Sequence, residues 1–362
     1  MAGDRALGSG QGDISFGAQV NPYAEDVEAS LQLAEHLDES GFAFLTFPDH
    51  LLSPGGTPDW EVLTMLGAVS QRTSSVDLMP GVVDSVRRHP AQIAHAIATL
   101  DQLTDGRATL GIGAGEAFTF AGIEDLNRVW DRPFTRFREA VTVVRELWQS
   151  SSASPVTYGG EYFDLEETYL GFEAVQDPYP PIYIGGYGQK MRSFTGKIAD
   201  GWIPWIYSPS VFEQDLERVL EAAADAGRDP DDVDRALLIP ASVSASDPAG
   251  AKKDLISARA SSLALRPPLL DAMGYPELAD ESVIMWNMDW STERRKQLND
   301  VTARLPDEAV ERILVAGSPD EVIEDIQAFL DAGVTHPIFI PSGDVAETVD
   351  HFANEIIPHF AE

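Results

Sequence analysis

Acidic and imidazole side chains follow directly after two segments that have the composition of short β-strands. Glu116 follows the segment ATLGIGAG, and Asp49 and His50 follow the segment AFLTFP. A carboxyl group beside an imidazole can carry a proton to or from a bound substrate, which is general acid–base catalysis. The sequence therefore predicts Glu116, His50 and Asp49 as catalytic residues. A flexible turn that carries a solvated glutamate is the alternative interpretation of the first segment.

The glycines before Glu116 do not match the known phosphate-binding fingerprints. A dinucleotide fingerprint, G-x-G-x-x-G, requires a third glycine at the position of Glu116, and the chain contains no G-x-x-x-x-G-K-[ST] motif. Glycines at the end of a strand instead let a planar ligand approach the backbone closely. We therefore expect Gly113, Ala114 and Gly115 to bind a flat cofactor.

A second glycine-rich segment, IYIGGYGQKMRSF, precedes a predicted helix that carries Lys190 and Arg192. Free N–H groups at the start of a helix, together with nearby positive charge, favour a phosphate group. An ordinary glycine turn is the alternative. The residues predicted to bind the cofactor in this segment are Gly185, Gly186, Tyr187 and Gly188.

The charge balance limits the kind of protein this can be. The chain has 59 acidic and 25 basic residues and a formal net charge of −34, and five of the basic residues are lysines. Nucleic-acid binding needs a basic surface, so we do not expect a nucleic-acid-binding protein. A lysine-poor, acidic chain with 44% hydrophobic residues suits molar salt, where screening reduces self-repulsion. An acidic mesophilic enzyme is the alternative.

The lack of cysteine and of long apolar runs in the sequence argues against further classes of protein. The chain has no cysteine, so disulfides, thiolate catalysis and cysteine-ligated metals are excluded, and the histidine spacing indicates no metal site. No apolar run has the length of a membrane span, and residues 1–12 lack the core of a signal peptide. We therefore expect a flexible N-terminal tail over residues 1–12 and a cytoplasmic protein without a membrane partner.

Short apolar segments alternate with amphipathic helical segments eight times along the chain. Such alternation predicts an α/β protein with a (β/α)8 TIM barrel, and a doubly wound sheet is the alternative. We expect one barrel domain over residues 13–362, with insertions at about 151–180, a long loop or hairpin, and 247–306, inserted helices. The predicted strands are Ile14–Val20, Ala43–Phe47, Asp77–Val83, Ala108–Gly113, Ile182–Gly185, Trp202–Ile206, Ala236–Val243 and His336–Pro341.

Two helices have recognisable ends. The segment from Val27 is predicted to end at Gly41, which is a typical C-terminal glycine. The segment SPDEVIEDIQAFLDAG is predicted to begin with Ser318 as N-cap, with Glu321 completing a capping box, and to end at Gly333. In a barrel, the helices follow the carboxyl ends of the strands, so Glu116, Asp49 and His50 would meet at one rim.

The chain resembles the luciferase-like family of flavin- and deazaflavin-dependent oxidoreductases, and most closely the branch that uses coenzyme F420. Within this branch it is most similar to the methylene-tetrahydromethanopterin reductases. The resemblance covers nearly the whole chain, and its segments follow in the expected order. These segments are SFGAQVNP at 15–22, DH at 49–50, PGVVDSVRRHPAQIAHAIATLDQLTDGRATLGIGAGE at 80–116, PIYIGGYGQKMRSFTGKIADGW at 181–202 and VAGSPDEVIEDIQAFLDAGVTHPIF at 315–339.

The resemblance implies a barrel, usually a homodimer, with the deazaflavin ring of F420 in its mouth; FMN is the alternative cofactor. It also implies a non-prolyl cis peptide between Gly81 and Val82 behind the ring, and both residues are assigned to the cofactor site. By the same resemblance the loop 185–188 would hold the phosphate of the cofactor tail. Glu116 and His50 would lie near the ring and the substrate.

Two departures from the methanogenic pattern affect the expected chemistry. Gln19 stands where that pattern has an acid, and Glu116 stands where it has an aspartate. Glutamine cannot give a proton, so either Glu116 takes this role or the substrate differs; Gln19 is assigned to substrate binding. The segment DGWIPWIYSPS lacks the lysine with which related sugar-phosphate dehydrogenases bind phosphate.

The expected function is an F420-dependent oxidoreductase that transfers a hydride to or from a small molecule. A tetrahydropterin or folate carrier of one-carbon units is the first substrate class. The alternatives are an F420-dependent alcohol or sugar-phosphate dehydrogenase, an FMN-dependent monooxygenase, and a cofactor-binding protein without catalysis.

Overall fold

The computed structural model describes residues 14–20, 26–51, 59–116, 123, 132–285 and 288–361. The tail predicted over residues 1–12 lies outside this part of the chain. The strands of the described residues are β1 (Gly17–Gln19), β2 (Phe44–Phe47), β3 (Asp77–Pro80), β4 (Val83–Asp84), β5 (Leu110–Gly113), β6 (Val156–Gly159), β7 (Asp164–Thr168), β8 (Ile182–Gly185), β9 (Gly201–Trp202), β10 (Asp234–Val243), β11 (Val315–Gly317) and β12 (His336–Pro341).

The helices alternate with these strands. They are α1 (Val27–Glu39), α2 (Val62–Val69), α3 (Pro90–Thr104), α4 (Pro133–Trp148), α5 (Gln189–Ile198), α6 (Pro209–Asp225), α7 (Pro248–Ala264), α8 (Pro267–Ala272), α9 (Pro276–Glu281), α10 (Thr292–Thr302), α11 (Asp307–Glu311), α12 (Pro319–Asp331), α13 (Val345–His351) and α14 (Ile357–Phe360).

Parallel strands close into a barrel. Hydrogen-bonded neighbours follow the order β3-β2-β1-β12-β10-β9-β8-β5-β4. The barrel closes where Leu78 of β3 pairs with the residues that precede β5: its N–H donates to the Arg107 carbonyl at 2.7 Å, and its carbonyl accepts from the Thr109 N–H at 3.0 Å. Because β3 and β4 together occupy one position, the sheet is a (β/α)8 barrel. This confirms the predicted fold class over the doubly wound sheet.

The predicted strand at 77–83 is divided in the structure. It forms β3 and β4, and the peptide bond between Gly81 and Val82 that separates them is cis, as predicted. The Gly81 N–H donates to the Phe47 carbonyl at 2.8 Å, which keeps the break attached to β2. The chain therefore leaves and rejoins the barrel wall at the rim, next to the ends of β2 and β5.

Other strand boundaries also differ from the predicted ones: β2 begins at Phe44, β5 at Leu110 and β10 at Asp234. The first strand is shorter than the predicted Ile14–Val20. The predicted strand Trp202–Ile206 is reduced to β9 because Pro204 has no N–H to donate and Ile206 has a left-handed backbone with φ of 55°. Strand β11 was not predicted, since three residues are too short for a recognisable alternation; it pairs in parallel with β10 outside the barrel order.

The barrel interior is filled by side chains from alternate positions of its strands, as a closed eight-stranded barrel requires. A separate cluster of buried side chains occupies it: Phe44, Met79, Tyr183, Ile203, Ala236, Leu238, Ile338 and Ile340. A larger cluster lies between the outer faces of the strands and the helices. The interior below the rim is thus solid, and a ligand has to bind at the rim.

The helix ends follow the predicted signals. Ser318 accepts a hydrogen bond from the Glu321 N–H, and the Glu321 side chain accepts one from the Ser318 N–H, so α12 begins with the predicted capping box. Helix α1 ends at Glu39 with Ser40 as C-cap, and Gly41 follows with φ of 83°. The helix positions are therefore set locally, by residues at their ends.

Two segments add to the βα alternation. Strands β6 and β7 form an antiparallel hairpin within residues 151–180. Helices α7 to α11 follow β10 and cover residues 248–311, and α7 contacts both β10 and β11. We call residues 247–306 the insertion. None of the described helices is both long and apolar enough to cross a membrane.

Candidate active site

The carboxyl ends of β5 and β8 carry two glycines that are covered by a single side chain, that of Val82. Gly113 and Gly185 are partners in the parallel ladder. A Cβ atom at Gly113 would lie 2.8 Å from Cγ2 of Val82, and one at Gly185 would lie 3.2 Å from the same atom. Val82 thus packs against both glycines from the rim. We call Val82, Gly113 and Gly185 the glycine platform.

Gln19 lies beside the break that carries Val82. Its side chain is 7% exposed, and its Nε2 donates to the Gly81 carbonyl at 3.4 Å. Gly81 also faces Thr46, because a Cβ atom there would lie 2.9 Å from the Thr46 Cβ. The amide of Gln19 therefore supports the backbone of the rim, and its role in substrate binding stays a prediction.

Glu116 lies directly after the platform, where β5 has ended. Burial raises the pKa of its carboxyl group. The positive charges of His50 and Arg266 oppose this rise, and the negative charge of Asp84 adds to it. A glutamate in such an environment keeps a proton at higher pH than an exposed one, which suits a general acid.

His50 is the second titratable group near Glu116. Its Nδ1 lies 3.1 Å from Oδ2 of Asp59, whose side chain is 5% exposed, while the imidazole is 38% exposed. Burial lowers the pKa of His50, but the hydrogen bond to Asp59 and the negative charges of Glu116, Asp59 and Asp49 outweigh it and raise the pKa. Glu116 and His50 thus stabilise each other's charged forms.

Asp49, the neighbour of His50, is part of a buried ion cluster. Its Oδ2 lies 2.5 Å from Nη1 of Arg88 and 2.8 Å from Nη2 of Arg87, and its Oδ1 lies 2.9 Å from Nη2 of Arg88. The Asp84 N–H donates to Oδ2 at 2.8 Å, and Arg87 Nε donates to the Asp84 carboxylate at 2.9 Å. We call Asp49, Asp84, Arg87 and Arg88 the rim cluster. These contacts favour a structural role for Asp49 over the catalytic role predicted from its position.

Gly115 separates the platform from Glu116 and must be glycine for two reasons. Its φ of 80° is left-handed, and a Cβ atom would lie 2.5 Å from Oδ1 of Asp84. Ala114 lies half-buried between Gly113 and Gly115. The rim cluster therefore fixes the turn that presents Glu116.

The second glycine segment leads into α5. Gly188 is the N-cap and makes no side-chain cap, so the first N–H groups of α5 face outward from a residue without a side chain. Arg192, one of the two predicted cations, pairs with Asp215 at 2.7 Å, while Lys190 is exposed. Trp202 Nε1 donates to the Gly186 carbonyl at 3.1 Å and anchors the loop. The N-terminus of α5 and the exposed Lys190 therefore fit an anion. Arg192 instead has a structural partner, Asp215.

Arg266 and Tyr187 extend the site towards the insertion. The Arg266 guanidinium carbon lies 3.5 Å from the centroid of the Tyr187 ring, and Nη1 donates to the Trp205 carbonyl at 2.7 Å. Tyr187 was assigned to the cofactor, but Arg266, Trp205 and Asp59 were missed. No local signal marks them: Arg266 lies in a helical segment, and its position depends on how the insertion packs.

The described residues thus bring Glu116, His50, Gln19 and the platform to one rim, with the α5 loop beside them. Among these residues no three His, Asp or Glu are arranged to hold a metal ion. This arrangement can hold a planar molecule against the platform, and Glu116 and His50 can exchange protons with a substrate bound beside that molecule.

Comparison with known proteins agrees with this fold. Residues 11–336 match the family model described as luciferase-like monooxygenase. The 5,10-methylenetetrahydromethanopterin reductase of Archaeoglobus fulgidus is 31% identical over 356 residues, which are 95% of this chain and 99% of that protein. The phthiodiolone/phenolphthiodiolone dimycocerosates ketoreductase of Mycobacterium tuberculosis is 30% identical over 312 residues, 83% of this chain and 79% of that protein.

A solved structure matches over the same length. The chain is 25% identical to an F420-dependent secondary alcohol dehydrogenase in complex with an F420-acetone adduct, with a TM-score of 0.79 over 97% of this chain and 100% of that one. These matches confirm the resemblance found from the motifs. The chain therefore belongs to the luciferase-like monooxygenase family, and it is an oxidoreductase.

Proposed function

We propose that the protein is an F420-dependent oxidoreductase that transfers a hydride between the deazaflavin and a small organic molecule. A methylene derivative of a tetrahydropterin or folate is the expected substrate. The observation that carries the proposal is the juxtaposition of Glu116 and His50, a mutually stabilising acid–base pair, with the glycine platform at the same rim.

The residues present fit a planar cofactor with an anionic tail. The half-buried Val82 side chain packs on Gly113 and Gly185 and offers an apolar contact to a planar ring. The start of α5 with Gly188 as N-cap suits a phosphate. A bound deazaflavin would supply or accept the hydride at a ring carbon, as a two-electron carrier.

Glu116 would supply the proton that the reaction needs. Reduction of a methylene bridge requires that one of its two nitrogens leaves the bridge carbon, and a leaving nitrogen needs a proton. The raised pKa of Glu116 supports this role, because the carboxyl group retains its proton closer to neutral pH. His50 is partly exposed and supports re-protonation of Glu116 from solvent.

Reduction of a ketone or oxidation of a secondary alcohol is the second candidate, and Gln19 favours it. The pattern of the methanopterin reductases has an acid at the position of Gln19. Two of the similar proteins bear the names ketoreductase and secondary alcohol dehydrogenase. A carbonyl oxygen needs one proton after hydride transfer, which Glu116 or His50 alone would provide. The amide of Gln19 would then only donate a hydrogen bond.

The deciding experiment is a cofactor titration in about 2 M KCl, where repulsion between acidic side chains is screened. The fluorescence of F420 and of FMN is followed in separate titrations as protein is added. Saturable binding of F420 alone is expected. Oxidation of bound reduced F420 by a methylene-tetrahydropterin, a methylene-tetrahydrofolate or acetone then selects the substrate class. Saturable binding of FMN alone would overturn the proposal in favour of a monooxygenase.

A pair of glycine variants tests the platform in the same assay. Gly113→Ala pushes Val82 into the cofactor face, so the dissociation constant of F420 is expected to rise about tenfold, or about 1.4 kcal/mol. Gly171→Ala is the matched control, because a Cβ atom there meets nothing within 4 Å. Equal affinity of both variants and the wild type would show that the ring binds elsewhere.

Salt adaptation, a cytoplasmic location and a homodimer belong to the same proposal. The net charge of −34 supports the first of these. Light scattering of the eluted protein at about 2 M and about 0.1 M KCl is expected to give the dimer mass in the first buffer and partial dissociation or unfolding in the second.

A further inference from the structure

The backbone of the loop 185–188 is held by side chains from outside the loop. Three of its four residues are glycines, which place few limits on the backbone, so its shape depends on these contacts. Trp202 Nε1 donates to the Gly186 carbonyl at 3.1 Å. Arg192, which lies in the second turn of α5, donates from Nη1 to the Tyr187 carbonyl. Both carbonyls in the middle of the loop therefore have fixed donors.

The side chain of Tyr187 is fixed as well. Its ring stacks on that of Tyr207, with centroids 6.0 Å apart and planes inclined by 25°, and the Arg266 guanidinium carbon lies 3.5 Å from its centroid. Its hydroxyl donates to the Trp205 carbonyl at 3.0 Å. The one side chain of the loop therefore holds the loop against three neighbouring residues.

Two of these supports meet at one carboxylate, that of Asp215 in α6. Its Oδ2 accepts from Arg192 Nη1 at 2.7 Å and from the Tyr207 hydroxyl at 2.9 Å. Its Oδ1 accepts from Nη1 of Arg218 at 3.0 Å, and the Asp215 side chain is only 12% exposed. Because the same Nη1 atom contacts both Asp215 and the Tyr187 carbonyl, Asp215 fixes the donor that fixes the loop.

The charge and the contacts of Asp215 should have opposite effects on an anion bound at the start of α5. Through its charge, a carboxylate weakens the binding of a nearby anion. Through its contacts, Asp215 strengthens binding, because a loop already held in its binding conformation loses little conformational freedom when the ligand arrives. The direction in which affinity changes on removal of the charge therefore tells the two effects apart.

We propose that Asp215 is a positioning residue of the cofactor site. It holds Arg192 and Tyr207 against Tyr187 and so fixes the N–H groups at the start of α5 that bind the phosphate of the cofactor tail. The inference rests on the proposed function, in which this loop binds that phosphate. Asp215 acts through the two side chains and touches neither the cofactor nor the substrate. It should therefore contribute to the affinity for a ligand that carries the phosphate and little to the affinity for the ring alone.

Two ligands that differ in the tail test the inference in the full-length protein. F420 and the same deazaflavin without its phosphate-bearing tail are titrated separately in about 2 M KCl, with ligand fluorescence as the signal. Asp215→Asn keeps the size of the side chain and removes its charge. The dissociation constant of F420 is expected to rise about tenfold in this variant, whereas that of the phosphate-free deazaflavin should stay within about twofold of the wild type.

Two further variants make the result unambiguous. Glu217→Gln is the matched control, because it removes an acidic charge from an exposed position of the same helix, and both dissociation constants should stay unchanged. Tyr207→Phe removes the hydroxyl that donates to Asp215 but keeps a ring against Tyr187, so it serves if the asparagine variant does not fold. The affinity for F420 alone is then expected to fall about threefold.

Three results would overturn the inference. An unchanged dissociation constant of F420 in a folded Asp215→Asn variant would show that the contacts do not matter for binding. A lower constant is the change expected from the charge of Asp215 alone. Equal weakening of both ligands would show a general loosening of the fold in place of a specific effect on the phosphate.

The outcome also separates this inference from the proposed function. If the protein binds FMN and not F420, the same comparison is made with FMN and riboflavin, which differ by the phosphate. A selective loss for FMN would retain the role of Asp215 and remove the F420 proposal, and F420 binding without a selective loss would do the reverse. When both hold, Asp215→Asn is expected to raise the KM for F420 about tenfold and to leave kcat at saturating F420 at the wild-type value.

Discussion

The rim carries two groups of charges that are built on opposite principles. In the rim cluster, Asp49 and Asp84 accept hydrogen bonds of 2.5–2.9 Å from two arginines and from backbone N–H groups. In what we call the mouth group, Glu116, His50 and Arg266, burial opposes ionisation of both titratable members. The charges of the neighbours partly offset this effect for Glu116 and outweigh it, together with the hydrogen bond to Asp59, for His50.

The difference separates charges that hold the backbone from charges whose pKa is raised by their surroundings. A carboxylate with several strong donors is held in one position, and its removal leaves the partner arginines without compensation. A carboxyl group whose burial is only partly compensated gains or loses a proton near the pH at which an enzyme works. Residues that are adjacent in sequence, such as Asp49 and His50, can therefore belong to different groups.

The variant Glu116→Gln should have the largest effect on activity. Loss of a general acid lowers rates by about 10² to 10⁴-fold, so kcat is expected to fall by this factor. The folded pKa of Glu116 is raised, so its contribution to stability is lost as pH rises through that pKa. The free energy of unfolding of the variant should therefore equal or exceed that of the wild type at neutral pH, as urea denaturation would show. A variant with full kcat would remove Glu116 from the mechanism.

Asp49→Asn is the reciprocal test on the rim cluster. Breaking one partner of a buried pair costs about 3–5 kcal/mol, so the free energy of unfolding is expected to decrease by that amount. The reason is that Arg87 and Arg88, both largely buried, keep their charge without Asp49. Urea denaturation at constant salt measures it. A loss below about 1 kcal/mol, the range of exposed pairs, would place Asp49 outside the structural group.

Asp59→Asn tests how the mouth group is tuned. Without the hydrogen bond to Asp59, the pKa of His50 should move downward, because burial lowers it and this bond is the largest opposing contribution. The wild-type stability from His50 is full below the unfolded pKa near 6.5 and is lost as pH rises through the higher folded pKa. In the variant this contribution should be smaller, and its loss should be complete at lower pH. The His50 NMR titration checks the pKa, and urea midpoints between about pH 6 and 8 check the stability.

The smallest effect is expected for Arg72→Gln, an ion pair outside the rim. Arg72 lies 2.9 Å from Glu35 and 3.3 Å from Glu28, and all three side chains are exposed to solvent by a third or more. Exposed pairs contribute little and are screened by salt. The denaturation midpoint should not change measurably in molar KCl. A clear decrease would mean that surface pairs stabilise this acidic chain more than the comparison assumes.

The sequence was sufficient for the barrel because eight strands and their helices carry local periodicity and end signals. The capping box at Ser318 is one such signal. The sequence was insufficient for the end of β9, because its apolar pattern predicts a longer strand. Pro204 and the left-handed backbone of Ile206 end the strand earlier. It was also insufficient for β11, which is held by pairing with β10.

The site was predictable where chemistry follows a strand end. Glu116, His50 and the glycines meet at the rim because parallel strands end on the same side. The role of Asp49 was not predictable, because adjacent side chains point in different directions. Only the fold shows that Asp49 meets Arg87 and Arg88. Arg266 lies 150 positions after Glu116, and nothing nearby in sequence indicates that its side chain reaches Tyr187.

The contact between Arg266 and Tyr187 has a consequence for engineering and for divergence within the family. The insertion carries Arg266, whose guanidinium lies against Tyr187 and donates a hydrogen bond to the Trp205 carbonyl of the barrel. An exchange of this segment between relatives would therefore remove a contact to the loop after β8, which is part of the proposed cofactor site. Libraries that aim at new substrates through the insertion should keep Arg266, Tyr187 and Trp205 unchanged.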